Sequence, residues 1–61
     1  MGKIARTRKF IDLMLAFATQ DACGAHNCLF AALTDNDPRS KSWVLLRDAM
    51  HRVEQQVEQH A

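Results

Sequence analysis

The chain has 61 residues, and its 8 Lys and Arg stand against 7 Asp and Glu for a net charge of +1. At 6.9 kDa it has room for one small domain, residues 1–61, of a size that buries only about 60% of the surface its unfolded form exposes. Hydrophobic residues at 48% and charged residues at 25% exclude a disordered chain, the near-zero charge disfavours nucleic-acid binding by bulk charge alone, and 2 Gly, 1 Pro and no Tyr leave too little turn material for many short strands.

No apolar run approaches the ~20 residues of a membrane span. The basic N-terminus leads into an apolar stretch that contains Asp12 and lacks a cleavage-site pattern, so it does not read as a signal peptide. The expected setting is the cytoplasm.

The first element covers about residues 3–34. Ile4, Ile11, Leu15, Ala18, Ala22, Ala25, Leu29 and Ala32 recur at spacings of 7, 4, 3, 4, 3, 4 and 3, an unbroken helical phase. The spacing predicts one long helix. Its weak stretch is 19–24, where Asp21 and Gly24 suit a helix interior poorly, Gly by about 1 kcal/mol relative to Ala. A break there, with Thr19 capping a second helix from Gln20, is the alternative.

Both cysteines fall in this element. On a continuous helix Cys23 and Cys28 point about 140° apart with Cα atoms about 8 Å apart, beyond the reach of a disulfide. They read as reduced thiols, buried or half-buried. Cys23 and His26 can share a face that Cys28 cannot join, so one chain has no closed tetrahedral site. Only a metal-linked dimer through Cys23, His26 and Cys28 would complete one. No metal or other cofactor is expected.

Asp35-Asn36-Asp37-Pro38 marks a turn at 35–37, with Asp37 as N-cap and Pro38 in the first helical position. The second helix then spans about 38–60. Trp43, Leu46, Met50, Val53 and Val57 recur at spacings of 3, 4, 3 and 4, and Leu45 and Ala49 widen that stripe. Lys41, Arg47, Arg52, Gln55 and Gln59 lie opposite. The fold class is therefore all-α, an antiparallel helical hairpin. The small residues Ala18, Ala22, Ala25 and Ala32 face the large Trp43, Leu46 and Met50. Trp43 would plug the seam opposite Leu29 or anchor an interface.

Two features exceed what a hairpin can bury. In residues 10–18 only Asp12 is polar, so the helix carries a second stripe, Phe10, Leu13, Met14 and Phe17. Phe30 and Leu33 extend it toward the turn. Contiguous apolar patches of this size are rare on monomers. The first helix, at about 45 Å, also outruns the second, at about 33 Å, and leaves residues 3–11 overhanging. Both features predict a homodimer, two hairpins forming a four-helix bundle. A break near residue 20 would instead fold the first segment back into a three-helix monomer. In length, hairpin and heptad phase the chain resembles the Rop type of small plasmid-borne RNA-binding protein, a dimer of helical hairpins. The resemblance rests on no shared motif and carries over no RNA-contacting residue.

Lys3, Arg6, Arg8 and Lys9 sit at a helix start, where positive charge opposes the macrodipole. Glu54 and Glu58 oppose it near a helix end, so the two sets are expected to compensate each other across one bundle end, to stand as solvated tails, or to meet a partner. His26, His51 and His60 are the groups that titrate near neutrality. Asp48 can pair with His51, three residues on, but no nucleophile stands beside them, and no catalysis is expected. The expected function is that of a small non-enzymatic regulator, of the kind phages and plasmids encode. It would bind and modulate or inhibit another protein through a helical surface. The expected dimer or partner interface is Phe10, Leu13, Met14, Phe17, Phe30 and Trp43, with Lys3, Arg6, Arg8 and Lys9 as basic contacts. The alternatives are a nucleic-acid-binding regulator using that basic N-terminus, helped by Arg39 and Lys41, and the metal-linked dimer.

Overall fold

A computed structural model describes residues 2–60 and places them in three helices: α1 (Lys3–Phe17), α2 (Ala22–Thr34) and α3 (Lys41–His60). The side chains of Gln59 and His60 lie outside the described set, and the titratable role expected of His60 falls there too.

The long first helix does not form. The last turn of α1 tightens: Thr19 N donates to Ala16 O at 3.3 Å, and Gln20 N and Asp21 N donate to Phe17 O at 2.9 and 3.0 Å. Asp21 then leaves helical space at φ −146°, ψ 86°, and its carboxylate accepts Gly24 N at 2.9 Å. Asp21 is thus the N-cap of α2, a position that favours Asp as strongly as a helix interior disfavours it. Gly24 completes the device, because a Cβ there would run into the Asp21 carboxylate. Thr19 caps nothing; its hydroxyl donates back to Ala16 O at 2.8 Å.

The second connection is longer than the expected three residues. Asp37 Oδ1 accepts Arg39 N at 2.9 Å, and Asp37 O accepts Ser40 N at 2.8 Å and Ser40 Oγ at 2.7 Å. Ser40 Oγ accepts Trp43 N at 3.2 Å, and Ser40 O accepts Val44 N at 3.4 Å. Ser40 therefore takes the capping role expected of Asp37. Pro38 sits in the turn, and α3 begins at Lys41.

Cross-helix contacts give the directions. Thr7, early in α1, is hydrogen-bonded to Ser42, early in α3, so these two helices run parallel. His26, early in α2, meets Glu54, late in α3, so α2 and α3 are antiparallel. The chain runs up, down and up within 35 × 21 × 14 Å. The core is Ala18, Ala25, Leu29, Leu33, Leu46, Ala49 and Val53, with Phe10, Ile11, Met14, Leu15, Trp43 and Met50 partly buried around it. Leu33, expected to extend an exposed patch, is part of this core.

The length mismatch is resolved inside the chain. Folding back at residues 18–21 lays α1 along α3, so residues 3–11 do not overhang. The expected four-helix bundle needs two helices per chain; with three, a pair of chains would assemble six.

Candidate interaction surface

The site is built from α1 upward, because α1 uses both of its flanks. Ile4, Thr7, Ile11, Met14 and Ala18, at spacings of 3, 4, 3 and 4, form an inner seam of half-buried and buried residues facing α2 and α3. One residue out of register runs a second line with the same spacing: Lys3, Arg6, Phe10, Leu13 and Phe17. Leu13 is 60% exposed and Phe17 41% exposed, while Phe10 packs partly on the core. Not one residue of α1 is fully buried.

The expected apolar patch is thus divided. Phe10 and Met14 are drawn toward the core, because α1 rests against two helices instead of one. Leu13 and Phe17 stay in water. Phe30, 53% exposed, lies on the α2 flank that carries His26 toward α3, apart from the outer seam of α1. Trp43 is half-buried against the core with the Arg47 guanidinium 5.4 Å from its ring centroid. It does not sit opposite Leu29, since the longer turn and the His26–Glu54 contact shift it toward the turn.

Lys3, Arg6, Arg8 and Lys9 are all exposed, and among the described residues none of them enters an ion pair. The expected compensation by Glu54 and Glu58 does not occur. The parallel arrangement puts the N-termini of α1 and α3, with Lys3, Arg6, Arg39 and Lys41, at one end of the bundle. Glu54 and Glu58 stand at the other, beside Ala22 and Cys23 in the first turn of α2. There the N-terminal dipole of α2 favours them. Neither α1 nor α3 has an acidic residue in its first turn.

Two open clefts border these groups. One of about 380 Å³ lies between Lys3, Arg6, Thr7, Phe10, Ala32, Asn36 and Leu46. Asn36 Nδ2 donates to Ala32 O at 2.7 Å, and its buried Oδ1 has no partner among the described residues. The other, about 340 Å³, includes Cys23, His26, Glu54 and Val57. Glu54 spans two histidines there, at 3.1 Å from His26 Nε2 and 3.4 Å from His51 Nδ1. The Asp48–His51 pair does not form; Asp48 lies 3.8 Å from Arg47 instead. Both cysteines are free and exposed, contrary to the buried or half-buried thiols expected. Cys28 lies one turn before Ala32 on the flank toward α1, away from Cys23 and His26. Among the described residues no group of three potential ligands could hold a metal ion.

Two pairs escape a reading of apolar spacing: Thr7 with Ser42, and His26 with Glu54. The signal for the first is visible in the sequence. Ile4 and Ile11 are seven apart, and the position between them on that stripe is Thr7. Ser42 likewise continues the Leu46, Ala49, Val53 stripe at a spacing of 4, 3 and 4. A polar residue on an inward stripe calls for a polar partner on the facing helix. The second pair depends on register, which the turn length sets.

No described helix is long and apolar enough to cross a membrane. No known protein family, curated protein or solved structure matches the chain.

Proposed function

We propose that the chain is a non-enzymatic protein-binding module whose docking face is the outer seam of α1. One observation carries this reading. A helix that buries none of its own residues fully holds Leu13 and Phe17 in water on a heptad-spaced line, edged by Lys3, Arg6 and Lys9. Apolar anchors with a charged rim are the anatomy of a protein interface. The anchors govern dissociation, and the basic rim governs encounter and salt sensitivity. Occupying the seam modulates or blocks whatever surface it covers.

The test compares the wild-type chain with Leu13→Glu and Phe17→Glu in affinity capture from a host lysate, followed by reconstitution with purified components. The expected result is a defined protein bound by the wild type and lost with both variants. In the reconstituted complex Phe17→Ala should weaken binding by ~5–150-fold, mainly through faster dissociation. Capture that is indifferent to both variants removes the reading.

A second reading has its own support in the basic residues of α1 that make no ion pair. Phosphate contact by Lys3, Arg6, Arg8 and Lys9 would give nucleic-acid binding that falls steeply with salt, each contact adding to the log–log slope. That binding would survive Leu13→Glu.

A further inference from the structure

We propose that the partner this seam fits is a second copy of the chain, lying antiparallel on it through α1 about a two-fold axis between residues 11 and 12. This rests on the outer seam being the docking face, and it names the occupant.

The seam is self-complementary. Arg6, Phe10, Leu13 and Phe17 are spaced 4, 3 and 4, a pattern that reads the same in both directions. Reversed on itself, it sets the accessible edge of the half-buried Phe10 against the copy's Leu13 and Arg6 against the copy's Phe17. The apolar pair lies at the centre, and an Arg meets an aromatic ring at each end, a favourable cation–π geometry. An isologous contact of this kind closes on itself and forms a discrete dimer.

Charge selects both the partner and the direction. α1 begins with Lys3 and Arg6, has no acidic residue in its first turn, and leaves these cations without an ion pair among the described residues. The opposite end of α1 offers Asp21 and the negative pole of its own dipole, beside the positive pole at the start of α2. An antiparallel copy brings that end to Lys3 and Arg6. A parallel copy would set four basic residues against the same four. In the antiparallel pair the two copies of Arg6 stand about 16 Å apart along the seam, beyond the Debye length of about 8 Å at physiological salt, and only the two copies of Lys9 come within that length. The net charge of +1 per chain adds little repulsion.

Neighbouring groups leave the seam open to approach. Ala32 borders Phe10 and Arg6 across the cleft, and Cys28, one turn earlier, is small and exposed. The contact is one short helix long. Interfaces burying less than about 1,200 Å² are weak or transient, so the association belongs in the micromolar range.

Sedimentation equilibrium on the full chain, from micromolar to millimolar concentration, is the first measurement. The mass should rise from 6.9 kDa toward twice that value. Leu13→Glu should weaken association at least ~10-fold while the helical circular dichroism stays unchanged, since Leu13 is 60% exposed. Direction is read by cross-linking in a Cys23→Ser, Cys28→Ser background. Chains carrying Arg6→Cys mixed with chains carrying Phe17→Cys should oxidise to a heterodimer, and neither variant should link to itself. Phe17→Cys linking to itself overturns the antiparallel register. A monomer at every concentration, with capture of a different protein still lost in Leu13→Glu, overturns self-association and leaves the docking face standing. A dimer indifferent to Leu13→Glu overturns self-association through this seam.

Discussion

α1 and α3 lie parallel and start at the same end of the bundle, yet they carry opposite burdens. α3 is amphipathic once: Ser42, Leu46, Ala49 and Val53 are buried, and its other side is polar apart from the exposed Val44 and Val57. α1 has an inner seam that is mostly half-buried and an outer seam that faces water. A small bundle can therefore put its stability into one pair of helices, α2 and α3, and hold a third helix against them as a presenting surface. What α1 lacks in burial it keeps available for contact.

The largest expected effect tests the stable half. Leu29 is fully buried, so Leu29→Ala should cost ~2–5 kcal/mol. A chain of this length has a total stability of about 3–9 kcal/mol, so urea unfolding should show the domain close to collapse. Ile11→Ala, at a half-buried site on α1, should cost clearly less. Amide hydrogen exchange should rank the helices the same way, with α1 exchanging first. Equal losses from the two substitutions would erase the contrast between the helices.

The next effect concerns what ties α1 to α3. Thr7 Oγ1 and the buried Ser42 Oγ are hydrogen-bonded at 3.1 Å. Thr7→Val keeps the shape but strands the Ser42 hydroxyl, at a cost of about 1–3 kcal/mol. Adding Ser42→Ala should recover most of that loss, because no polar group is then left unpaired. Thermal unfolding of the two single variants and the double variant measures the coupling. Simple additivity would show that packing, and not this hydrogen bond, holds α1 in place.

A smaller effect sharpens the junction that separates the two regions. Asp21→Ala removes the cap of α2 and should cost about 1 kcal/mol. Gly24→Ala gains about 1 kcal/mol of helix propensity but displaces the Asp21 carboxylate, so the two terms nearly cancel. With Asp21→Ala already present, Gly24→Ala should become stabilising. A fixed cost for Gly24→Ala in both backgrounds would show that some other contact requires the glycine.

The smallest effect is the most diagnostic of the outer seam. In dilute solution Leu13→Glu should change the melting free energy by no more than about 0.5 kcal/mol, as exposed substitutions usually do. A loss of several times that size would mean that the outer seam belongs to the core.

Much of this was legible residue by residue. Leu29, Leu46, Ala49 and Val53 were on the inward stripes read from spacing, and the basic exposure of Lys3, Arg6, Arg8 and Lys9 followed from their charge. The unbroken phase from Ile4 to Ala32 misled for a physical reason. α1 and α2 both turn an inward face to the same core, so their stripes can stay in phase across a break in the backbone. The exposed pair Leu13 and Phe17 was in view, but its separation from Phe10 and Met14 was not, because that depends on α1 resting against two helices.

The sequence by itself determined that the chain is helical and placed Leu29, Leu46, Ala49 and Val53 on inward stripes, since both follow from local spacing and side-chain polarity. Only the tertiary structure decided where the first helix stops, which register α3 takes and which flank of α1 stays wet. The break at Asp21 is a contest of about 1 kcal/mol between a cap and a helix interior. Contests that close are settled by burial elsewhere, here by the face from Ile4 to Met14 coming to rest against α2 and α3.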